Sequence, residues 1–334
     1  MACHLPPGKA KLSVMRMNSS RVAASVLVCL FSLVSADPAR VSKVLGSDSC
    51  STSGCHGGAG LNRGAYTLWK NYDPHTVSAA TLGNGRSRAM AAQLGINNAE
   101  ESKSCTVCHA PNRQVDPSMF ATAAKRDAEL KSVGCANCHG GAENWILSHT
   151  RPEYPRDALA KLGMRQLGSA YQRANNCVAC HQNLSDELVG AKHPPLVFEL
   201  DGLLVAQPKH WREEKGFSNT RTWLVGQAVA LREAAAQSVR EPGARRDAEI
   251  EAMKELLKAA GANFLGTGQI LVGEADEYAK KVSSGPADGG QARAILIRLI
   301  RNREPFEADA FGSVEKEYRM WATGYYAERL ALSI

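Results

Sequence analysis

The pattern of apolar and polar positions divides the chain into two parts. After Trp211, apolar residues recur three and four positions apart, which is typical of helices with one buried face. The helices predicted there are Thr220–Val239, Arg246–Ala260, Gln269–Val282, Gln291–Arg301 and a last one carrying Phe311, Val314, Tyr318, Trp321 and Tyr325. That last aromatic stripe indicates core packing rather than a cofactor site, and Ser283–Gly290 is predicted to be a loop.

Before Trp211 the pattern is different. From Asp37 to about Arg212, long periodic apolar segments are rare, and Gly, Ser, Asn and Pro are frequent. We expect short helical turns joined by loops, with longer helices at Ser118–Lys131 and Asp157–Arg173. The predicted fold is therefore mainly α with extensive loops, with a helical bundle at the carboxyl end.

Four cysteine–histidine motifs punctuate the first part. Three have the pattern Cys-x-x-Cys-His and the fourth has two extra residues between its cysteines. They are Cys50/Cys55/His56, Cys105/Cys108/His109, Cys135/Cys138/His139 and Cys177/Cys180/His181. Cys-x-x-Cys-His is the attachment pattern of haem c. In a helical turn, residues three apart share one face, so two thiols reach the two vinyl groups of one porphyrin and the next histidine binds the iron.

Cysteines at such spacing also have other uses in proteins. A redox dithiol, a zinc site formed by two Cys-x-x-Cys pairs, or four disulfides would each use cysteines at such spacing. None of these needs a histidine directly after the second cysteine, yet all four motifs have one. The sequence therefore predicts four covalently bound haem c groups, and the first motif's extra Ser and Gly are expected to bulge out of its turn.

The first 36 residues resemble a secretory signal peptide. They contain four basic residues and no acidic one, an apolar run Val22–Val34, and the small residues before Asp37. The apolar run is too short to span a bilayer, so an uncleaved anchor is disfavoured. We expect cleavage near Ala36, export to the periplasm, and no transmembrane segment in the mature chain. Removing Cys3 and Cys29 with this leader leaves eight cysteines, two for each haem.

The charge of the mature chain excludes one class of partner. Without the leader, 36 Lys and Arg stand against 33 Asp and Glu, a net of +3, and eight haem propionates would bring the protein near neutrality. No basic stripe interleaved with aromatic residues is present, so we expect no nucleic-acid partner. The predicted organisation is a leader over 1–36, a tetrahaem domain over 37–212 and a helical domain over 213–334, whose helices could also form a homo-oligomer contact.

Four histidines remain as candidates for the sixth iron ligand: His75, His149, His193 and His210. Four haems and four spare histidines favour bis-histidine ligation throughout. Methionine is the alternative ligand, and Met90, Met119 and Met164 lie in the haem region. Each histidine could instead be an ordinary surface or capping residue.

Motif order and spacing over residues 45–212 resemble the tetrahaem cytochrome c-554 family. The resemblance rests on Trp69, the Pro74-His75 pair, the stretch Ser132–Gly141 with His149 ten residues beyond its histidine, the Cys177 motif, and Gly190-Ala-Lys192. It implies that His149 serves the first haem, His75 the third and His210 the fourth, with the second haem five-coordinate. This chain departs from the family in its longer first motif and in the extra candidate His193.

Two functions follow from these observations. The first is an electron carrier in which closely spaced, mostly bis-histidine haems pass electrons between redox partner proteins. The second is a haem enzyme that acts on a small nitrogen or sulfur compound at one open iron; a purely structural haem protein is a third, weaker reading. Because His193 could close the second haem, we expect an electron carrier rather than an enzyme.

Overall fold

A computed structural model describes residues 41–60, 63–194, 196, 198–213 and 215–285. This described part is mainly helical, contains no strand, and has one isolated bridge between Val44 and Phe120. Its twelve α-helices are α1 Ala65–Tyr72, α2 Gly85–Gln93, α3 Lys103–His109, α4 Ala123–Glu129, α5 Cys135–His139, α6 Arg156–Lys161, α7 Ala170–His181, α8 Asp186–Gly190, α9 Leu200–Ala206, α10 Asn219–Arg240, α11 Ala244–Ala259 and α12 Gly268–Ser284. None of the described helices is long and apolar enough to cross a membrane.

Short helices dominate the region before Trp211, as predicted. Five 3-10 helices add to α1–α9: Ser47–Cys50, Pro74–Gly83, Pro111–Gln114, Pro117–Met119 and Ser148–Thr150. The helix predicted at Ser118–Lys131 is wrong in extent. Phe120 is buried and extended, paired with Val44, and α4 begins only after Thr122, whose hydroxyl accepts a hydrogen bond from the Lys125 N–H at 3.2 Å.

The helix predicted at Asp157–Arg173 is also wrong, because the structure has two helices there. The first, α6, ends at Lys161, and Gly163 follows in the left-handed region with φ 97°. The second, α7, begins after Ser169, whose side chain and that of Gln172 cap each other's backbone N–H groups at 3.2 and 3.1 Å. The Cys177 motif thus lies at the end of a helix of its own.

The helices predicted after Trp211 agree with the structure wherever it describes them. Thr220–Val239 corresponds to α10, Arg246–Ala260 to α11 and Gln269–Val282 to α12, with ends shifted by one or two residues. The predicted loop Ser283–Gly290 begins later, since α12 continues to Ser284. Gln291–Arg301 and the last aromatic helix lie outside the described residues.

The fourth motif is attached to the carboxyl-terminal helices through α7. Ala174 and Val178 of α7 belong to one apolar cluster with Val225 and Ala228 of α10. A second cluster joins α10, α11 and α12 around Leu231. Since α7 shares a core with α10, these helices support the haem region directly; a domain boundary at residue 212 stays a prediction.

Candidate functional site

The first motif lies in a tight turn rather than on a helix. Cys50 ends the 3-10 helix, and the turn is closed by hydrogen bonds from the N–H of His56 to the Cys50 carbonyl at 3.0 Å and from that of Cys55 to the Thr52 carbonyl at 2.9 Å. A Cβ on Gly57 would lie 1.7 Å from the Ser51 carbonyl oxygen, so no larger residue fits after His56. Thr52, Ser53 and Gly54 between the two cysteines are exposed, which is compatible with the predicted bulge.

The other three motifs each end a helix. α3 ends at His109, α5 at His139 and α7 at His181, and in each the two cysteines are three residues apart on one face. After His139 the chain needs glycine twice. Gly140 has φ 83°, and a Cβ on Gly141 would lie 1.9 Å from the Ser42 carbonyl oxygen.

Three of these motif histidines lie opposite three of the spare histidines. The ring centres of His56 and His149 are 6.1 Å apart, those of His181 and His75 are 6.0 Å apart, and those of His109 and His193 are 6.4 Å apart. When two imidazoles bind one iron from opposite sides, each coordinating nitrogen lies about 2 Å from the iron. Each ring centre lies beyond its nitrogen, so the two ring centres are roughly 6 Å apart. The three pairs therefore fit bis-histidine ligation.

The remaining two histidines, His139 and His210, are close enough to interact electrostatically. Desolvation lowers the pKa of His139 to about 4, helped by the positive charges of His210, His56 and His149 and of Arg165. The neutral imidazole that results is the form that binds a metal. His210 is thus the spare histidine with the largest electrostatic effect on the third motif.

This pairing differs from the one that the resemblance implies. His149 lies opposite the first motif as implied, but His75 lies opposite His181 of the fourth motif, and His210 lies near the third. The backbone of His75 does lie beside the third motif, since the N–H of Val133 donates to its carbonyl at 2.9 Å. Its ring, however, is held by Asp73 at 2.8 Å and so lies against His181.

Four of the candidate ligands have a partner for their Nδ1 atom. The partners are Asp73 Oδ1 for His75 at 2.8 Å, Thr81 Oγ1 for His109 at 2.9 Å, the Pro194 carbonyl for His193 at 2.8 Å and the Pro208 carbonyl for His210 at 3.0 Å. An Nδ1–H that donates to such a partner fixes the tautomer and leaves the Nε2 lone pair for a metal. Asp73 and Thr81 were not predicted, although the spacing Asp-Pro-His was a readable signal for the first.

The four motifs are adjacent to one another in a definite order. The Cys50 thiol lies beside that of Cys135, and this neighbour lowers the pKa of Cys50. The Cys108 thiol lies beside that of Cys180, which lowers the pKa of Cys108. Burial and the neighbouring Cys138 raise the pKa of Cys177 to about 12. The first motif is therefore beside the third, the third beside the fourth, and the fourth beside the second.

None of the eight described cysteines forms a disulfide, and the close sulfur neighbours come from different motifs. Within the described ranges, no group of three or more His, Cys, Asp or Glu side chains is arranged to hold a metal ion directly. Of the methionine candidates, Met164 packs in the apolar cluster around Trp145.

The four Cys–His turns lie on a mainly helical chain, and each motif histidine has a second histidine close to it, which is the residue set that a c-type cytochrome needs. The family model described as cytochrome c554 and c-prime matches residues 49–140, which contain the first three motifs. No curated protein and no solved structure matches the chain. This match covers less than a third of the chain, and it supports a c-type cytochrome with covalently bound haem c, a role in electron transfer and redox partners.

Proposed function

We propose that this chain is a periplasmic tetrahaem electron carrier in which each iron has two histidine ligands. The attachment residues would be Cys50, Cys55, Cys105, Cys108, Cys135, Cys138, Cys177 and Cys180. The ligand pairs would be His56 with His149, His109 with His193, His139 with His210, and His181 with His75. The observation that carries the proposal is the 6.0–6.4 Å separation of three such pairs.

Haem iron supplies one-electron exchange between its ferric and ferrous states. The protein's part is to hold the ligands and to leave no position for a substrate. The Nδ1 partners orient the imidazoles of His75, His109, His193 and His210. Two histidines would hold each iron and would leave no open position for a substrate, which would favour electron transfer over chemistry at the metal.

The order of the motifs supports a continuous path for electrons. Neighbouring thiols bring the first motif to the third and the fourth to the second, and Cys138 lies near Cys177. Arg165 also joins the third and fourth motifs, donating to the Asn137 carbonyl at 2.6 Å and to the Asn176 side chain at 3.2 Å. Electrons would therefore pass between the first and the second haem by way of the third and fourth.

His193 decides between carrier and enzyme. It lies directly after α8, where its N–H donates to the Leu188 carbonyl at 2.9 Å and its Nδ1 contacts the Pro194 carbonyl. Its ring centre is 6.4 Å from that of His109. The second iron, which the family resemblance leaves open, would thus be closed in this protein.

Location follows from the leader. The basic and apolar pattern of residues 1–36, outside the described part, supports export with cleavage near Ala36. Cytochromes c are typically exported. Haem would then be attached to the eight cysteines in the periplasm.

The test is the spin state of the purified holoprotein. We expect four haems per chain by pyridine haemochrome assay and only low-spin signals in the EPR spectrum. His193→Ala should convert one haem in four to high spin and create one cyanide-binding site. Lys192→Asn is the matched control: Lys192 has φ 69°, which Asn tolerates, and its change should leave all four low-spin.

The opposite pattern would favour the enzyme. Suppose that the wild-type protein already contains one high-spin haem and that His193→Ala changes nothing. The second iron is then open, and a haem enzyme that acts on a small nitrogen or sulfur compound becomes the better interpretation. A ratio other than four haems per chain would contradict the tetrahaem assignment itself.

A further inference from the structure

We infer that Asp73 is a positioning residue that lowers the midpoint potential of the fourth haem by hydrogen-bonding its axial ligand His75. The inference rests on the proposed function, in which His75 and His181 bind that iron.

Asp73 is a buried carboxylate directed at one imidazole. Its side chain is 1% exposed, and its Oδ1 lies 2.8 Å from the Nδ1 of His75. The same oxygen accepts the backbone N–H of His75 at 3.0 Å, and Oδ2 accepts the side-chain N–H of Gln207 at 3.1 Å. Three N–H groups thus fix the carboxylate in place, so its position relative to the ring is set by the fold.

The other described Nδ1 partners are of a different kind. His193 and His210 each contact a proline carbonyl, and His109 contacts a hydroxyl and the Ser78 carbonyl, at 3.3 Å for the latter. These partners are neutral, whereas an ionised carboxylate is a full charge and a stronger acceptor. Among these four ligands, His75 is therefore the one whose ring is polarised by a charged group.

A carboxylate partner makes the imidazole a stronger electron donor to its metal, because the Nδ1 proton is drawn toward the acid. A stronger donor stabilises ferric iron more than ferrous iron, since the ferric ion carries the larger charge. The buried negative charge of Asp73 acts in the same direction. The fourth haem should then be harder to reduce than it would be with a neutral partner on His75.

Asp73→Asn isolates the charge. Asparagine keeps an oxygen that can accept from both N–H groups of His75 and is an equally good cap for the following 3-10 helix. In a spectroelectrochemical titration of the holoprotein, one midpoint potential in four should rise, and a tenfold shift in the reduction equilibrium would correspond to about 59 mV. The EPR g-values of one low-spin haem should change as well, while all four haems stay low-spin.

Asp116→Asn is the matched control. Asp116 also precedes a proline and caps the 3-10 helix Pro117–Met119, accepting the N–H of Ser118 at 2.8 Å, but it is exposed and contacts no imidazole. This variant removes the same charge and should leave every potential where it was. Asp73→Ala, which also removes the acceptor, should raise the potential by at least as much and broaden the EPR signal as the ring loses its fixed orientation.

His75→Ala separates failure of this inference from failure of the proposed function. If His75→Ala produces one high-spin haem but Asp73→Asn shifts no potential, His75 is a ligand and the role of Asp73 is wrong. If His75→Ala leaves all haems low-spin, His75 is not a ligand and the assigned pair itself is wrong. A potential that falls in Asp73→Asn would also overturn the inference, because its sign is opposite.

Discussion

The region that carries the haem motifs and the carboxyl-terminal helices are built on different kinds of core. In α10, 14 of 22 residues are buried, and their side chains form clusters with α7, α9, α11 and α12. In contrast, α1 and α5 contain no buried residue, and the apolar clusters near the motifs are small, such as Leu82 with Ala91 and Ala99. One region thus fills its interior with its own side chains and the other does so only in part.

This difference shows how the two regions are stabilised. Hydrophobic stabilisation is roughly proportional to apolar area removed from water, and a porphyrin is a large apolar surface. Polar contacts also hold the motif region together, for instance the buried Glu129, which accepts the Ser47 N–H at 2.6 Å. We therefore expect the motif region to depend on haem for its fold, whereas the long helices depend on aliphatic packing.

The largest expected effect comes from withholding haem. Expressed without a haem c maturation system, the chain should lose the fold of residues 41–169, while α10–α12 retain theirs. Limited proteolysis with mass spectrometry should then show rapid cleavage before α7 and slow cleavage after residue 219. Holoprotein digested under the same conditions is the control, and a protease-resistant apo form of the motif region would contradict the comparison.

The next effect tests the aliphatic core. Leu231 is fully buried in α10, and Leu231→Ala should lower the free energy of unfolding by about 2–5 kcal/mol, the usual cost of such a cavity. Urea unfolding of the holoprotein, followed by far-ultraviolet circular dichroism, measures it.

Leu265→Ala is the matched control for that substitution. Leu265 is 81% exposed, so its truncation should change the free energy of unfolding by no more than about 0.5 kcal/mol. If the two variants lose equal stability, the helices do not depend on the packed core described.

The same contrast explains what the sequence could predict. The helices α10–α12 follow from their recurring apolar residues, which pack into two clusters, and the haem motifs follow from local covalent chemistry. The ends of α4, α6 and α7 did not, because they depend on the caps Thr122 and Ser169 and on Gly163, whose effects outweigh weak periodicity. Short segments without a strong apolar face are decided by such single residues.

The pairing of the ligands was beyond the sequence for another reason. His75 and His181 are more than 100 residues apart, and their juxtaposition depends on how Pro74–Gly83 packs beside the motifs. The sequence shows how many spare histidines there are, but not which motif each one faces. For His75, this depends on the hydrogen bond to Asp73, which was not predicted from the sequence. The matching that the family resemblance implies agrees with the ring contact between His149 and His56 and differs from that between His75 and His181.

A glycine substitution beside the third motif should have an effect of intermediate magnitude. Gly140 follows the third motif with φ 83°, and a Cβ there would lie 2.4 Å from the Gly163 carbonyl oxygen. Gly140→Ala should cost about 1–3 kcal/mol of stability from strain, measured by urea unfolding. Gly190→Ala is the control: nothing lies within 4 Å of its Cβ position, and a loss there as large as that of Gly140→Ala would contradict the explanation.

The smallest effect concerns the contact between the two regions and depends on pH. Asp276 of α12 accepts hydrogen bonds from Tyr171 of α7 at 2.7 Å and from Arg232 of α10 at 2.6 Å, and it pairs with Lys280. Burial raises the pKa of Asp276, but hydrogen bonds from Lys280, Tyr171 and Arg232 outweigh it and lower the pKa from 3.8 to about 2.

A lowered pKa in the folded state means that the carboxylate stabilises the fold above about pH 4 and loses this effect as pH falls toward 2. Asp276→Asn should therefore cost about 1 kcal/mol at pH 7, a figure reduced for solvent screening, and nearly nothing close to pH 2. Urea unfolding midpoints at pH 7 and pH 3 measure the difference. Asp127→Asn, which removes an exposed carboxylate, is the control and should cause no comparable loss of stability at pH 7. If the stability lost in Asp276→Asn grows as the pH falls, the sign is opposite to that expected for this ion pair.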